Sequence, residues 1–415
     1  MDTKVALLLL VSLFLNVAAP ASSGRRGFRA TMVRSDKTIN FTRAAQQSLD
    51  RLSTVAARLG LDADAGSTQT PLRWDGSGAY DMEFAIGTPP QKLSALADTG
   101  SDLIWTKCGA CASCVPRGSP SYYPDKSSSF SKLPCSDRLC KALVSRAKCG
   151  AGGAECDYLY RYGLDVNDSH HYTEGYLGNE TITLGGDAMD GVGFGCTNMS
   201  EGNFGRGSGL VGLGRGNLSL VSQLDVGAFS YCLIPDSTKA SPLLFGSLAN
   251  LTGAGVQSTP LLPSIRTFYS VNLQSISFGS ATTPGPGTSG AGMVFDSGTT
   301  LTYLAEPAYT AAKDAVLQQT AALPRAANRF GFEACFQTSG DNSSFPAMVL
   351  HFDGADMALP TANYILEVDD GVSCWGVQSS PSVSIIGNIM QMNFHVRHDV
   401  NKSVLSFQQA NCESV

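Results

Sequence analysis

The chain has 415 residues, enough for two domains of ordinary size, and 43% hydrophobic against 15% charged residues describes a well-buried globular protein. Lys and Arg number 29 against 35 Asp and Glu, a formal net charge of −6, so the chain lacks the positive footprint of a nucleic-acid or anionic-membrane binder. Nucleic acid is excluded as the expected partner.

The N-terminus opens with Lys4, runs through the apolar stretch Val5 to Leu15 and ends in small residues around Ala18 to Ser23. This pattern predicts a signal peptide over residues 1–23. The apolar run is short for a membrane span, which makes an uncleaved anchor the lesser alternative. Phe407 to Val415 is polar and carries no lipid-anchor tail. No stable membrane association is therefore expected after signal cleavage.

Residues 24–72 differ in composition, with Arg25, Arg26, Arg29, Arg34, Lys37, Arg43, Arg51 and Arg58 followed by an acidic, Gly/Ser-rich stretch from Asp62 to Thr70. Between Thr42 and Leu59, the apolar residues Ala45, Leu49, Leu52, Val55, Ala56 and Leu59 recur at helical spacing. A basic amphipathic helix before a flexible connector predicts a removable pro-segment, and hence a zymogen. The plainer alternative is a surface helix of the mature domain.

From Tyr80 onward the texture is strands and turns: Tyr80–Gly87, Thr181–Gly186, Phe268–Leu273 and Val404–Phe407 alternate or run apolar, with Gly and Pro at the joints. The expected fold class is all-β with a few short helices, the best of them at Glu306–Gln319. Gly279 to Gly292, rich in Gly, Pro and Thr, reads as a loop. Gly253, Gly255, Pro260 and Pro263 interrupt the strand pattern, so the expected division gives a first lobe at 73–258 and a second at 259–415.

Within this body one short phrase occurs twice. Leu96-Ala97-Asp98-Thr99-Gly100-Ser101 and Val294-Phe295-Asp296-Ser297-Gly298-Thr299-Thr300 each place an Asp after an apolar strand-like run, in a turn whose Gly lets the backbone double back. One such triplet reads as a turn closed by an Asx hydrogen bond. Two copies in matching contexts read as two carboxylates presented in the same way. The repetition extends further: Leu210-Val211-Gly212-Leu213-Gly214 follows the first Asp, and Ile385-Ile386-Gly387-Asn388 follows the second.

Other chemistries find no support in the sequence. It has neither a Gly-x-Ser-x-Gly elbow nor a His-Glu-x-x-His helix, and its five histidines, His170, His171, His351, His395 and His398, form no metal spacing. Gly191 to Gly195 and Gly212 to Gly216 lack the strand-loop-helix setting of a dinucleotide site and read as β turns. Cys108-x-x-Cys111-x-x-Cys114 could open a zinc site, but no second pair follows. On a secretory route the twelve cysteines point instead to disulfides, with the seven from Cys108 to Cys156 crowding a stapled, loop-rich insert. Asn40, Asn167, Asn179, Asn198, Asn217, Asn250, Asn342 and Asn401 begin glycosylation sequons, as expected for a secreted glycoprotein.

The paired Asp motifs and their paired apolar-apolar-Gly strands closely resemble those of pepsin-like aspartic proteases. The cysteine-dense insert, Gly87-Thr88-Pro89-Pro90-Gln91 and Phe229-Ser230-Tyr231-Cys232-Leu233 resemble the plant nepenthesin-like branch. The resemblance runs from about residue 78 to Cys412. It implies a bilobal β fold with a cleft between lobes, Asp98 and Asp296 as the catalytic pair, and Thr99, Gly100, Ser101, Ser297, Gly298 and Thr299 as their support. It also implies a hairpin flap at Tyr162-Gly163, with Trp105 as the partner of Tyr162; a core aromatic is the plainer reading of that Tyr. After Gly163 the sequence departs from the branch, reading Leu164 to Glu174 where a shorter glycine-bearing tip is usual. The resemblance further suggests the bridges Cys108–Cys111, Cys114–Cys196, Cys135–Cys156, Cys140–Cys149, Cys232–Cys412 and Cys335–Cys374.

The expectation is thus a secreted, monomeric aspartic endopeptidase acting on peptide or protein substrates at acidic pH without metal or organic cofactor. Its expected location is extracellular (the apoplast), with the vacuole as the alternative. The rival is a binding protein on the same scaffold, such as the plant inhibitors of microbial glycosidases.

Overall fold

A computed structural model describes residues 27–58, 78–143, 147–149, 152–162, 171–202, 204–263, 267–338 and 344–415. The expected signal peptide, the acidic connector, flap residues 163–170 with Gly163, Asn167 and His170, and Asn342 lie outside the described residues.

The body is built of strands whose alternation selects one buried face. In Tyr80–Ile86, Met82, Phe84 and Ile86 are buried while Glu83 faces solvent. This strand pairs antiparallel with Gln91–Asp98, which carries the chain to the first Asp turn. Leu210–Gly212 lies parallel beside Gln91–Asp98, with Gly212 opposite Asp98. The second half repeats the device: Met293–Phe295 runs parallel to Ser384–Ile386, with Phe295 opposite Ile386. Behind each Asp turn the backbones cross closely. A Cβ at Gly212 would lie 2.3 Å from the Asp102 backbone, and one at Gly387 would lie 2.3 Å from the Leu301 carbonyl, so both positions need glycine.

Among the described residues the largest sheet has fifteen strands, and separate sheets of five, four and three strands are drawn from residues 270–386. The chain leaves the large sheet after Gln257–Pro260 and returns to it with Phe394–Asp399 and Val404–Gln409, which pair with Ala228–Cys232 and with Gln257–Pro260. The strand Phe28–Arg34, from the compositionally distinct N-terminal piece, is inserted in this sheet between Ala240–Phe245 and Tyr80–Ile86.

Helices are few. The periodicity at Thr42–Leu59 forms the helix Phe41–Arg58, and the one expected at 306–319 spans Ala308–Gln319. The loop expected at 279–292 is corrected: Ala281–Gly287 is a strand paired with Leu273–Phe278. It tolerates Pro284 and Pro286 because it lies at the sheet edge, where one side of the backbone needs no ladder partner.

Six disulfides close the fold. Cys232–Cys412 ties the chain end to the strand Ala228–Cys232, and Cys335–Cys374 joins strands in the second half. Four expected pairings are corrected. In place of Cys108–Cys111 and Cys114–Cys196, the structure forms Cys108–Cys196 and Cys111–Cys114. Trp105–Lys107 runs parallel to the strand holding Cys196, which brings Cys108 to a Cα separation of 5.3 Å from it, while the tight turn holds Cys111 and Cys114 at 5.4 Å. In place of Cys135–Cys156 and Cys140–Cys149, it forms Cys135–Cys149 and Cys140–Cys156. Burial sorts these partners: Cys140 and Cys156 are in the core, whereas Cys135 is part-buried and Cys149 exposed.

Candidate active site

Asp98 and Asp296 are fully buried, and the two turns that carry them are locked to each other. The Thr99 amide donates to Ser297 Oγ at 3.2 Å and the Ser297 amide donates to Thr99 Oγ1 at 2.9 Å. Each hydroxyl then donates across to a main-chain carbonyl, Thr99 to Phe295 at 3.2 Å and Ser297 to Ala97 at 2.9 Å. Each hydroxyl both donates and accepts across the pair, so the carboxylates are set by backbone that cannot shift independently.

Each carboxylate is held alike. Asp98 accepts from the Gly100 amide at 2.9 Å and from the Ser101 hydroxyl. Asp296 accepts from the Gly298 amide at 2.9 Å and from the Thr299 hydroxyl at 2.7 Å. The expected support residues are therefore all in contact with the dyad or with each other. Gly298 is a close-approach position, since a Cβ there would lie 2.5 Å from Asp98 Oδ1, and one at Gly100 would lie 2.8 Å from Asp296 Oδ2.

A third charge enters from the helix Phe41–Arg58. Arg51 Nε donates to Asp296 Oδ2 at 3.0 Å, and its Nη2 donates to Asp98 Oδ1. Burial and the neighbouring Asp296 charge hold the Asp98 carboxyl above the usual range, against the pull of Arg51. For Asp296 burial acts the same way, but Arg51 and the hydrogen bonds from Thr299 and Gly298 outweigh it and hold this carboxyl low. Burial alone would lower the Arg51 pKa, but the two carboxylates raise it above its ordinary value.

The helix touches both sides of the site. Ser48 Oγ accepts from the Leu301 amide at 3.2 Å, the Tyr303 hydroxyl donates to the Ala45 carbonyl at 3.4 Å, and Phe41 packs on Phe332 with ring centroids 6.1 Å apart. On the other side Arg58 Nη1 donates to the Gly100 carbonyl at 2.9 Å and Nη2 donates to the Tyr160 hydroxyl at 3.1 Å.

Tyr162 ends the described part of the hairpin arm Cys156–Arg161. Its hydroxyl accepts from Trp105 Nε1 at 2.9 Å, and Trp105, Tyr160, Tyr162 and Phe204 share one buried aromatic cluster. Among the described residues, the cluster with metal-ligand spacing is Cys135, Cys140 and Cys149, and all three sulfurs are spent in disulfides.

Reading the sequence alone missed Arg51 and Arg58 as site residues, although Ser48, Arg51, Val55 and Arg58 recur at spacings of three or four and so share one helix face with buried Val55. An Arg on the buried face of a helix calls for a buried acid. Gln391 and Asn388 were missed as well. Gln391 Nε2 donates to the Ile386 carbonyl at 2.8 Å and to the Asp296 carbonyl at 3.4 Å, and Asn388 Nδ2 donates to the Ser297 carbonyl at 3.2 Å.

Comparison with known proteins agrees with this geometry. Residues 80–247 match the family described as xylanase inhibitor N-terminal, and residues 268–409 match the family described as xylanase inhibitor C-terminal. Aspartic proteinase nepenthesin-1 of Nepenthes gracilis is 40% identical over 93% of this chain and 90% of its own length. Aspartic proteinase nepenthesin-2 of the same plant is 35% identical over 95% of each. Among solved structures, basic 7S globulin from soybean shares the fold with a TM-score of 0.66 at 18% identity, over 93% of this chain and 97% of that one. Conglutin gamma from lupine seeds does so with a TM-score of 0.67 at 16% identity, over 94% and 96%. The chain belongs to the plant nepenthesin-like aspartic proteinases, with the bilobal pepsin-like fold.

Proposed function

We propose that this aspartic-type endopeptidase is made as a secreted, self-inhibited precursor and hydrolyses peptide bonds at acidic pH with a water activated between Asp98 and Asp296. The observation that carries the reading is the locked pair of turns, which holds two buried carboxylates side by side. As in aspartic-protease dyads generally, two carboxylates so close share one proton. The charged partner takes a proton from the water, and the protonated one donates to the scissile carbonyl. Water is the nucleophile, so no side chain becomes acylated.

Arg51 supports the precursor half of the reading. While its guanidinium lies on both carboxylates, the position of the catalytic water and of the scissile carbonyl is taken. Falling pH protonates the dyad and weakens that ion pair, so acid would release the helix Phe41–Arg58. The 24–72 segment is then the inhibitory piece, 73–258 and 259–415 the two catalytic lobes, and the mature enzyme a monomer. Twelve cysteines paired in six disulfides favour an oxidising compartment, and Asn40, Asn198, Asn217, Asn250 and Asn401 are exposed for glycosylation. The cell exterior and the vacuole both satisfy these conditions.

The test is cleavage of an unfolded protein by the secreted chain from pH 2 to 7, with and without a statine-type transition-state mimic. Acid-dependent cleavage that the mimic blocks is expected. Asp98→Asn and Asp296→Asn should each lower it by more than about 100-fold, the scale of a lost acid–base group, with the melting temperature of the matured chain, free of the Arg51 helix, retained. A folded, processed chain that cleaves nothing but binds a microbial xylanase would instead establish the binding-protein reading.

A further inference from the structure

We infer that the aromatic corner filled here by Arg58 is a substrate subsite for a basic side chain, Arg above Lys. The inference rests on the reading that the helix Phe41–Arg58 leaves on maturation. In this structure the corner already holds a cation. The Arg58 guanidinium carbon lies 5.3 Å from the Tyr160 ring centroid and 5.7 Å from that of Tyr162, while its two terminal nitrogens donate to the Gly100 carbonyl and the Tyr160 hydroxyl. Two ring faces and two oxygen acceptors around one guanidinium make a site with the chemistry of cation recognition.

Its position places it within reach of substrate. Gly100 follows the catalytic Asp98 by two residues, and its Cα neighbours the second carboxylate closely enough that a Cβ would lie 2.8 Å from Asp296 Oδ2. Tyr162 belongs to the hairpin that borders the site. Arg51 and Arg58 are seven residues apart on one helix, or roughly 10 Å of rise, and both side chains converge on Gly100, so the corner lies within about three residues of extended chain of the scissile bond.

The same chemistry ranks the alternatives. An apolar side chain would cover the rings but leave the Gly100 carbonyl without a donor in a buried setting. A carboxylate would meet the negative ring faces, a carbonyl oxygen and the dyad's own charge. Lys supplies charge and a donor, whereas the planar guanidinium of Arg can stack on a ring and donate from two atoms at once.

The test uses the acid-matured enzyme and internally quenched octapeptides that differ only in Arg, Lys, norleucine or Glu at each of three positions on either side of the cleaved bond. At one position kcat/KM should follow Arg, Lys, norleucine, Glu in falling order, with Arg over norleucine by about fivefold or more. Tyr160→Leu should bring the Arg to norleucine ratio close to one, and Tyr160→Phe, which keeps the ring and removes the hydroxyl, should leave an intermediate ratio. Cleavage of the norleucine peptides with no preference for Arg at any position would overturn the subsite while leaving the peptidase reading intact. An Arg preference unchanged in both variants would also overturn it. Failure to cleave any peptide would overturn both readings.

Discussion

Thr99 and Ser297 each donate a backbone amide to the other's hydroxyl, at 3.2 and 2.9 Å, so two residues 198 positions apart in sequence act as one brace. Removing the hydroxyl in Thr99→Ala leaves the buried Ser297 amide without an acceptor. Such an orphan costs about 1–3 kcal/mol. The melting temperature should fall accordingly, and kcat should fall more than KM rises, because the dyad geometry loosens while the peptide-binding cleft stays. Thr99→Ser, which restores the hydroxyl, should recover most of both. A Thr99→Ala enzyme with normal kcat would show that the brace does not set the dyad.

Arg51 neutralises a pair of carboxylates that otherwise repel each other. In Arg51→Gln the buried dyad loses its cation, and breaking a buried ion pair costs on the order of 3–5 kcal/mol at neutral pH. The precursor should melt lower at pH 7, and the difference should shrink in acid as the dyad protonates. If the helix is the lock, the variant precursor should also cleave peptides without a preceding acid step, or after one at higher pH. Continued latency of the variant at every pH would assign inhibition to the other helix contacts instead.

Asp81 gives the precursor a pH dependence of its own. It is buried where the N-terminal strand Phe28–Arg34 meets Tyr80–Ile86, and its Oδ1 finds no hydrogen-bond partner among the described residues. Burial first, and then the charge of Asp36, push its carboxyl up to about 7 against the nearby Ser35 hydroxyl and the charge of Arg206, which pairs with Asp36 at 2.6 Å. The folded value lies above the unfolded one, so the favourable contribution is complete below about pH 4 and is lost as pH rises through 7. Asp81→Asn should leave acid stability nearly unchanged and raise stability above pH 7 by up to about 4 kcal/mol. Equal stability profiles for the two chains, from chemical denaturation at pH 4 and 8, would overturn this.

Legibility in the sequence followed the range of the interactions. Each Asp turn is local: Asp98 takes its hydrogen bonds from Gly100 and Ser101, and Asp296 from Gly298 and Thr299, so spacing alone gives the site away. The strand Tyr80–Ile86 and the helix Phe41–Arg58 were equally local, written in period and alternation. The partner of Cys108 was not, because Cys111 and Cys196 are both plausible by chemistry and only the parallel pairing of Trp105–Lys107 with the Cys196 strand decides between them. The strand Ala281–Gly287 was hidden by its prolines, whose tolerance depends on an edge position that is a property of the whole sheet. Arg51 falls between the two cases: its helix face was readable, but the acids it meets lie 47 and 245 residues away.

His398 marks the acid limit of the fold. Its ring lies 4.7 Å from Phe229 and 4.2 Å from Tyr269, and its Nε2 is 3.3 Å from the Tyr231 hydroxyl. That hydroxyl donates to Gln391 Oε1 at 2.5 Å, so its oxygen accepts from His398 and places the ring proton on Nε2. Nδ1 is then a bare acceptor with no partner among the described residues. Protonating it would put a charge in an aromatic shell, and burial accordingly lowers the His398 pKa to about 3. The folded value lies below the unfolded one, so the contribution is complete above about pH 6.5 and is lost as pH falls toward 3. His398→Phe should cost about 1 kcal/mol at pH 7, where a buried hydrogen bond is lost, yet be the more stable protein at pH 3 by several kcal/mol. Unfolding free energies of the matured chain at the two pH values decide the matter, and a parallel fall in both proteins would place the acid limit elsewhere. Because Gln391 also donates to the Asp296 carbonyl, the same titration reaches the Asp296 turn, and His398→Phe should extend the acid edge of the activity profile along with that of stability.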